Sequence, residues 1–370
     1  MLSPYALTRP GGVQGQAIGL TRALRHLGHD VTIVGPADPD APFLESLGER
    51  YVIGRPTGVQ SNGSVAPVAL WPSAAASALR FVRTGGFDVV HIHEPLAPLA
   101  AYGLMLSDPL PLIGTYHRAG VSRWVRPLKP LVEFAGSRME VRVAVSDAAR
   151  ETGEHSSGGA FEVLYNGVDV ERFESAVPVC DDHEPRRPTI LFVGRHEQRK
   201  GLGVLLDAFA MLDRRAVLWV AGEGPETEVQ RRRHPQSDRL HWLGPISEVE
   251  KAARLAGADV LCAPSLHGES FGIVLLEGLA AGCSVVASDI DGYRMAAAGH
   301  ATFVQAGDRS ALCRALGVAL ADAVEGSGPS APLARKAAVE YARKWSMESL
   351  AARYVEIYER AIASYRARKA

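Results

Sequence analysis

The sequence predicts an α/β protein of two doubly wound Rossmann-like domains facing each other across a cleft. Three observations carry this expectation. The chain has 370 residues, which suits two cores rather than one. Short buried strands alternate with helical patterns in both halves, as in parallel sheets wrapped on both faces. That alternation breaks between residues 169 and 188. The expected domains are therefore 1–168 and 189–346, with 169–188 as a linker and 347–370 as a helix packing back across both.

Each element has its own reason. Val13, Ala17, Leu20, Leu24 and Leu27 recur at steps of four and three, one face of a helix that begins after Gly11-Gly12 and stops at Gly28. Val31–Val34 reads as a buried strand, followed by Val89–His93, Leu112–Tyr116, Arg142–Val145 and Val163–Tyr165. A strand should also precede Gly11-Gly12, where only Met1–Tyr5 stands. Either that strand is very short or the start codon was placed a few residues late. The cost of an internal strand missing half its ladder favours the second.

After Asn166-Gly167-Val168-Asp169, charge and Pro178, Pro185 and Pro188 replace periodicity. Strands resume at Thr189–Val193, Val217–Val220, Asp259–Cys262 and Ser284–Ala287. From Met347 onward, Leu350, Tyr354, Ile357, Tyr358 and Ala361 share one helical face.

Composition narrows the class. With 47% apolar and 22% charged residues the chain is an ordinary soluble globular protein, and a net charge of -1 gives no general pull toward nucleic acid. Cys180, Cys262, Cys283 and Cys313 form no Cys-x-x-Cys pair and sit among apolar neighbours, as reduced packing residues do. No run of eighteen apolar residues and no signal pattern occurs, so a cytoplasmic location is expected.

The most informative stretch is Gly268–Gly282. Glu269 and Glu277 stand eight positions apart, in a loop that becomes a helix near Phe271 and stops at Gly282. Eight helical residues span roughly 12 Å, so the two carboxylates can touch both ends of one long ligand, such as a sugar joined through a diphosphate to a nucleoside. Carboxylates accept hydrogen bonds from hydroxyl pairs, and the helix N-terminus offers amides to an anion. Arg195 and Lys200 follow directly on the first strand of the second domain, where a parallel sheet binds its ligands, and would point into the cleft. Two fixed cations can neutralise a diphosphate leaving group without a metal.

Gly11-Gly12 lets backbone approach a phosphate closely, although tight turns need glycine for steric reasons too. Gly222-Glu223-Gly224-Pro225 is weaker and suits a plain turn. No Gly-x-Gly-x-x-Gly follows any strand, which argues against a nicotinamide or flavin enzyme. His91 and His93 point the same way on one strand, but no second pair completes a metal site, and none is expected. His117, just past a strand end, sits where a cleft residue belongs.

With these residues in place the chain resembles the retaining glycosyltransferases of family 4, which have the two-Rossmann GT-B architecture. The similarity runs from Pro4 nearly to the C-terminus, and within the family the chain looks most like actinobacterial phosphatidylinositol mannosyltransferases. The segments that carry it are 4–5 (Pro-Tyr), 10–14 (Pro-Gly-Gly-Val-Gln), 62–66 (Asn-Gly-Ser-Val-Ala), 91–95 (His-Ile-His-Glu-Pro) and 268–275 (Gly-Glu-Ser-Phe-Gly-Ile-Val-Leu).

The resemblance implies that Glu277 holds the ribose hydroxyls, Arg195 and Lys200 the diphosphate, and Glu269 with the amides of Ser270, Phe271 and Gly272 the sugar. It implies that Gly12 closes on the phosphate and that His117 lies beside the reacting anomeric centre. Acceptor contacts are implied for Tyr5, Gln14 and Asn62. The implied donor is GDP-mannose, with no metal required. The implied acceptor is the inositol of phosphatidylinositol, which places the enzyme in phospholipid metabolism, peripherally on the inner face of the plasma membrane.

Departures fall on the acceptor side. Thr8 stands where family members carry an acidic residue, and Pro67 and Val68 stand where they carry arginines. Their basic membrane-facing helix is thinned here to Arg80 and Arg83. Arg118, Arg123, Trp124, Arg126 and Lys129 offer a compensating basic and aromatic stretch, with a solvated loop as the plainer alternative. No carboxylate is placed as a glycosyl nucleophile, which favours front-face transfer assisted by the departing phosphate. Two other readings stay open: a UDP-sugar-dependent transferase with a soluble acceptor, and a catalytically silent nucleotide-sugar-binding protein.

Overall fold

The computed structural model describes residues 1–9, 11–61, 64–69, 71–97, 100–118, 120, 126–179, 187–212, 215–269 and 271–370. Asn62, Arg123, Trp124, Cys180 and Ser270, and the side chain of Arg126, lie outside the described residues. The chain forms two compact units, Met1–Gly167 with Met347–Ala370, and Val168–Ser346.

In the first unit the strands are β1 (Ile33–Gly35), β2 (Arg50–Val52), the hairpin β3 (Thr57–Ser61) with β4 (Ser64–Val68), and β5 (Val90–His93), β6 (Leu112–Tyr116), β7 (Val141–Ala144) and β8 (Glu162–Val163). The helices are α1 (Gly12–His26), α2 (Pro72–Thr84), α3 (Ala100–Ser107), α4 (Lys129–Gly136) and α5 (Asp147–Ser157). β1 pairs with β2, and β5 through β8 pair in sequence, all parallel. Leu2 joins these two sets, bridging Val34 on one side and Ile92 on the other. Four backbone bonds of 2.7–2.9 Å fix it there, from the N–H of Leu2, Ser3, Val34 and His93. The strand expected before Gly11-Gly12 is represented among the described residues by these bridges of Leu2.

Alternation along these strands sorts side chains to two faces. Ile92, Leu112 and Tyr116 face a core with Leu104, Met105 and Val132. Ile113 and Val143 face the opposite way, toward Leu20, Ala23 and Leu24 of α1. His91 and His93 flank Ile92 in the sequence, and His91 lies with Thr115 on this second face.

The second unit contains β9 (Thr189–Val193), β10 (Val217–Ala221), β11 (Leu240–Gly244), β12 (Val260–Ala263), β13 (Ser284–Ser288) and β14 (Thr302–Val304). Its helices are α6 (Val170–Glu174), α7 (Leu202–Ala210), α8 (Thr227–Arg233), α9 (Glu248–Gly257), α10 (Ile273–Ala280), α11 (Asp291–Ala297), α12 (Arg309–Glu325) and α13 (Pro332–Arg343). The parallel strands run in the order β11-β10-β9-β12-β13-β14. The direction of winding reverses between β9 and β12, and the crevice beyond their carboxyl ends is where doubly wound sheets bind ligands.

The segment 169–188, expected as a linker, contributes instead to the second unit wherever it is described. Asp169 caps α6 by accepting the Arg172 N–H, Val170 and Phe173 are buried, and the Val179 N–H donates to Ala253 O at 3.0 Å. The division falls before it, at Gly167, and again at Ser346. The last helix, α14 (Met347–Lys369), then returns to the first unit. Its Met347, Leu350, Ala351, Tyr354, Ile357 and Ala361 cover the face shared with α1. Gly19 on α1 faces Met347, whose Cε would lie 2.6 Å from a Cβ there. Arg368 pins the far end with bonds of 2.8 and 3.0 Å to Asp108.

Candidate active site

In the second unit, β9 ends at Val193 and the chain turns through Arg195–Lys200 before α7. Gly201 makes that turn possible. Its φ is +68°, and a Cβ would lie 1.9 Å from Pro264 O, so only glycine lets this loop rest on the one following β12. The Leu266 N–H donates to Arg199 O at 2.7 Å and locks the two loops together.

The consequence is a clasp around one carboxylate. Glu269 Oε1 takes Lys200 Nζ at 2.5 Å, Arg199 Nη1 at 3.2 Å and the Ser265 hydroxyl at 3.1 Å. Because Ser265 donates to Glu269, its oxygen is left to accept from the Tyr293 hydroxyl at 2.8 Å. Arg195 stands apart: half exposed, it pairs with Glu197 at 3.2 Å, and Glu197 holds Arg199 with its other oxygen at 2.9 Å.

The expected loop-to-helix transition begins at Gly272, the N-cap of α10 with φ +95°. A Cβ there would lie 2.4 Å from Tyr293 Cδ1, and one at Gly292 would lie 2.3 Å from Glu269 O. Phe271 is buried against Trp345, with ring centroids 5.1 Å apart, so its side chain anchors the loop. Glu277 sits farther along α10 and is buried. Its Oε1 meets Lys251 Nζ at 2.8 Å, and Lys251 also reaches Glu248 at 2.9 Å. Burial raises the Glu277 carboxyl while Lys251 draws it back down. Burial opposes the Lys251 charge too, but the two glutamates hold the ammonium above its ordinary value. Two carboxylates share one ammonium at 2.8 and 2.9 Å, which favours the charged form of Lys251.

The first unit gathers a different set. Glu94 follows β5 with a φ of +47° and is buried. Its Oε2 accepts the His117 N–H at 3.0 Å, while Oε1 has no hydrogen-bond partner among the described residues. His117, just past β6, meets His93 Nδ1 through Nε2 at 2.9 Å. Burial pushes the His117 imidazole down to about 3 and lowers His91 and His93 well below their usual value. His91 spends both ring nitrogens on hydroxyls, Tyr358 at 2.8 Å and Thr115 at 2.7 Å. Among the described residues no three His, Cys, Asp or Glu side chains gather to hold a metal.

Gly12 opens α1. A Cβ there would touch nothing within 4 Å, so the packing of the unit does not itself demand a glycine. Tyr5 bridges Val68, and burial, then the nearby Glu94, raises its hydroxyl. Gln14, expected at the acceptor, is turned inward: it is 6% exposed, and its amide donates to Arg9 O. At the preceding turn, Asp38 accepts from Thr8 at 3.1 Å and from Arg9 at 2.9 and 3.1 Å, bringing a carboxylate to a turn whose own residues carry none.

Several partners were not singled out from the sequence. Arg199 had a readable signal, its place in the same strand-end loop as Lys200. Glu94 lay inside the 91–95 segment without being singled out, whereas Ser265, Tyr293 and Lys251 had no signal, because only folding brings them to Glu269 and Glu277.

Residues 10–172 match the family model described as Glycosyltransferase Family 4, and residues 187–322 the model described as Glycosyl transferases group 1. The chain is 36% identical over 301 residues to a phosphatidyl-myo-inositol mannosyltransferase of Mycolicibacterium smegmatis, covering 80% of this chain and 76% of that one. It is 34% identical over 375 residues to the protein of the same name from Mycobacterium leprae, covering 97% and 96%. Among solved structures, Anabaena HepE in complex with UDP and glucose superposes with a TM-score of 0.73 at 18% identity, covering 97% of this chain and 98% of that one. Identity at the level of the two mannosyltransferases, together with family matches in both halves, places the chain in the family-4 glycosyltransferases, as a sugar-transferring enzyme of GT-B fold.

Proposed function

We propose that this enzyme transfers mannose from GDP-mannose to an inositol hydroxyl of phosphatidylinositol, with retention of configuration. The observation that carries the donor half is the clasp of Lys200 and Arg199 on Glu269 at the switch crevice of the second unit. The names of the two mannosyltransferase relatives support the acceptor half.

In this reading Glu269 accepts hydrogen bonds from the sugar hydroxyls, and Glu277, held by Lys251, accepts those of the ribose. Lys200 and Arg195 face the diphosphate. As the bond from the anomeric carbon to the phosphate oxygen breaks, negative charge grows on that oxygen, and the two cations stabilise it. The acceptor oxygen bonds to the anomeric carbon on the same face, and its proton passes to the departing phosphate. Fixed cations take the part a metal would otherwise play, so chelator should leave turnover unchanged.

A lipid acceptor must be met at a bilayer surface. The turn before α4 and α4 itself present Leu128, Leu131 and Phe134 at 44%, 43% and 50% exposure, beside Lys129 and Arg138. No helix among the described residues is long and apolar enough to cross a membrane. We assign the α4 surface to peripheral contact.

The deciding experiment supplies radiolabelled GDP-mannose with phosphatidylinositol vesicles and follows label into the lipid phase, with the anomeric linkage read by NMR. An α-linked mannolipid is expected. Release of UDP from a UDP-sugar with a soluble acceptor, and no lipid product, would transfer the assignment to that chemistry. Binding without turnover of either nucleotide sugar would make the protein a silent binder.

A further inference from the structure

Beneath the reading of His117 as a site residue lies a ladder of imidazoles. His91 and His93 stack with centroids 4.5 Å apart, and His93 and His117 with centroids 5.1 Å apart. Only one contact joins His117 to the ladder through a ring nitrogen, the 2.9 Å bond from its Nε2 to His93 Nδ1. On the far side, His93 Nε2 lies 3.0 Å from Met1 Sδ.

We propose that His93 is a positioning residue that holds His117 in its Nε2–H tautomer, leaving the Nδ1 lone pair of His117 to accept a hydrogen bond from a hydroxyl of the bound sugar or acceptor.

The assignment follows from donors and acceptors. A neutral imidazole has one N–H and one lone pair. A thioether sulfur accepts weakly and cannot donate, so a bare His93 Nε2 would set lone pair against lone pair. The proton of His93 therefore sits on Nε2 and its Nδ1 is bare. A bare Nδ1 can only accept, which puts the His117 proton on Nε2. One lone pair remains, on Nδ1 of His117.

Neutrality of all three rings agrees with the burial of His91 and His93 and with the lowered pKa of each ring. A lone pair so placed selects and orients a hydroxyl. A ligand presenting an oxygen without a proton at that point would meet the lone pair and be disfavoured, as buried unpaired polar groups are.

Two measurements test this on the full-length protein. In protein carrying ¹⁵N-labelled histidine, long-range ¹H–¹⁵N correlations separate protonated from bare ring nitrogens, and the His117 signals are those lost in His117→Gln. Both His93 and His117 should show Nε2–H, and an Nδ1–H signal for His117 overturns the tautomer assignment. Kinetics give a second readout. In His93→Asn the carbonyl oxygen can replace Nδ1 as acceptor, whereas His93→Leu has none. The leucine variant should lose on the order of tenfold in kcat with donor KM unchanged, and the asparagine variant should recover most of it. Equal losses in both would make His93 a packing residue and overturn the proposal. A fully active His117→Gln would instead overturn the reading of His117 beneath it, a failure distinct from a wrong tautomer.

Discussion

The two units are wound alike and furnished differently. In the second, the strand ends carry charges in contact: Lys200 and Arg199 on Glu269, and Lys251 on Glu277. In the first, the corresponding space holds a single buried carboxyl, Glu94 on the His117 N–H, among neutral rings and hydroxyls, with His117 on His93 and His91 between Thr115 and Tyr358. Fixed cations answer a ligand whose charge grows during reaction, and their worth rises where water is excluded. Neutral hydrogen-bonding groups answer a ligand made of hydroxyls, which needs orientation rather than charge. Under the proposed function, two sheets wound alike would serve opposite chemistry through the residues that follow their strands.

That contrast predicts unequal behaviour in acid, and this is the largest effect expected. His91, His93 and His117 stay neutral when folded and gain protons when unfolded. Between a pKa of about 6.5 for the unfolded chain and the much lower folded values, the unfolded state binds more protons, so stability falls as pH falls. Each histidine contributes up to about 1.4 kcal/mol per pH unit. In the second unit His196 is pushed by burial down to about 4, and His234 is lowered as well. The raised carboxyls Glu94 and Glu277 act the opposite way, one in each unit. Hydrogen exchange at stepped pH should show β5 and β6 losing protection before β9 and β12. Simultaneous loss would break the contrast.

The next effect is catalytic. Lys200→Ala should cost on the order of a hundredfold in kcat while leaving the fold intact, since this partly exposed loop lysine serves a developing charge. Glu269→Gln should also fall mainly on turnover, partly because Lys200 loses its anchor. Glu277→Gln should appear mainly in donor affinity, as a contact made equally in ground and transition states. Equal weakening of bare nucleoside diphosphate binding by both glutamine variants would refute the division between sugar and ribose ends.

Much of this was legible in the sequence, for reasons that can be named. Leu112–Tyr116 and Thr189–Val193 are strands over the expected residues because both are short apolar runs buried on two faces. Lys200 stood out because it follows a strand end, and Glu269 because it stands eight positions before Glu277 where a loop becomes a helix. The β3–β4 hairpin was missed since Gln60, Ser61, Ser64 and Pro67 break any alternation of apolar residues. Residues 169–179 looked like linker because α6 is only one turn and a half, and its burial rests on Val170 and Phe173. The pairing of Lys251 with Glu277 had no local signal: both lie on helices, 26 positions apart, and only the packed unit joins them.

The smallest expected effect concerns the surface of the first unit. If α4 meets lipid, its apolar residues and Lys129 should act together, the first by insertion and the second by attraction to anionic headgroups. Leu131→Asp with Phe134→Asp should then reduce cosedimentation with phosphatidylinositol vesicles by roughly tenfold, as about 1–2 kcal/mol of lost apolar burial implies. Nucleotide affinity should not change, because the donor groups lie in the second unit. Added salt should weaken vesicle binding of the wild type only in part, since screening removes the Lys129 attraction and leaves insertion in place. Wild-type protein that stays in the supernatant at low salt would remove the peripheral role of α4, and the mannolipid assay would then have to succeed with a detergent-dispersed acceptor for the lipid assignment to stand.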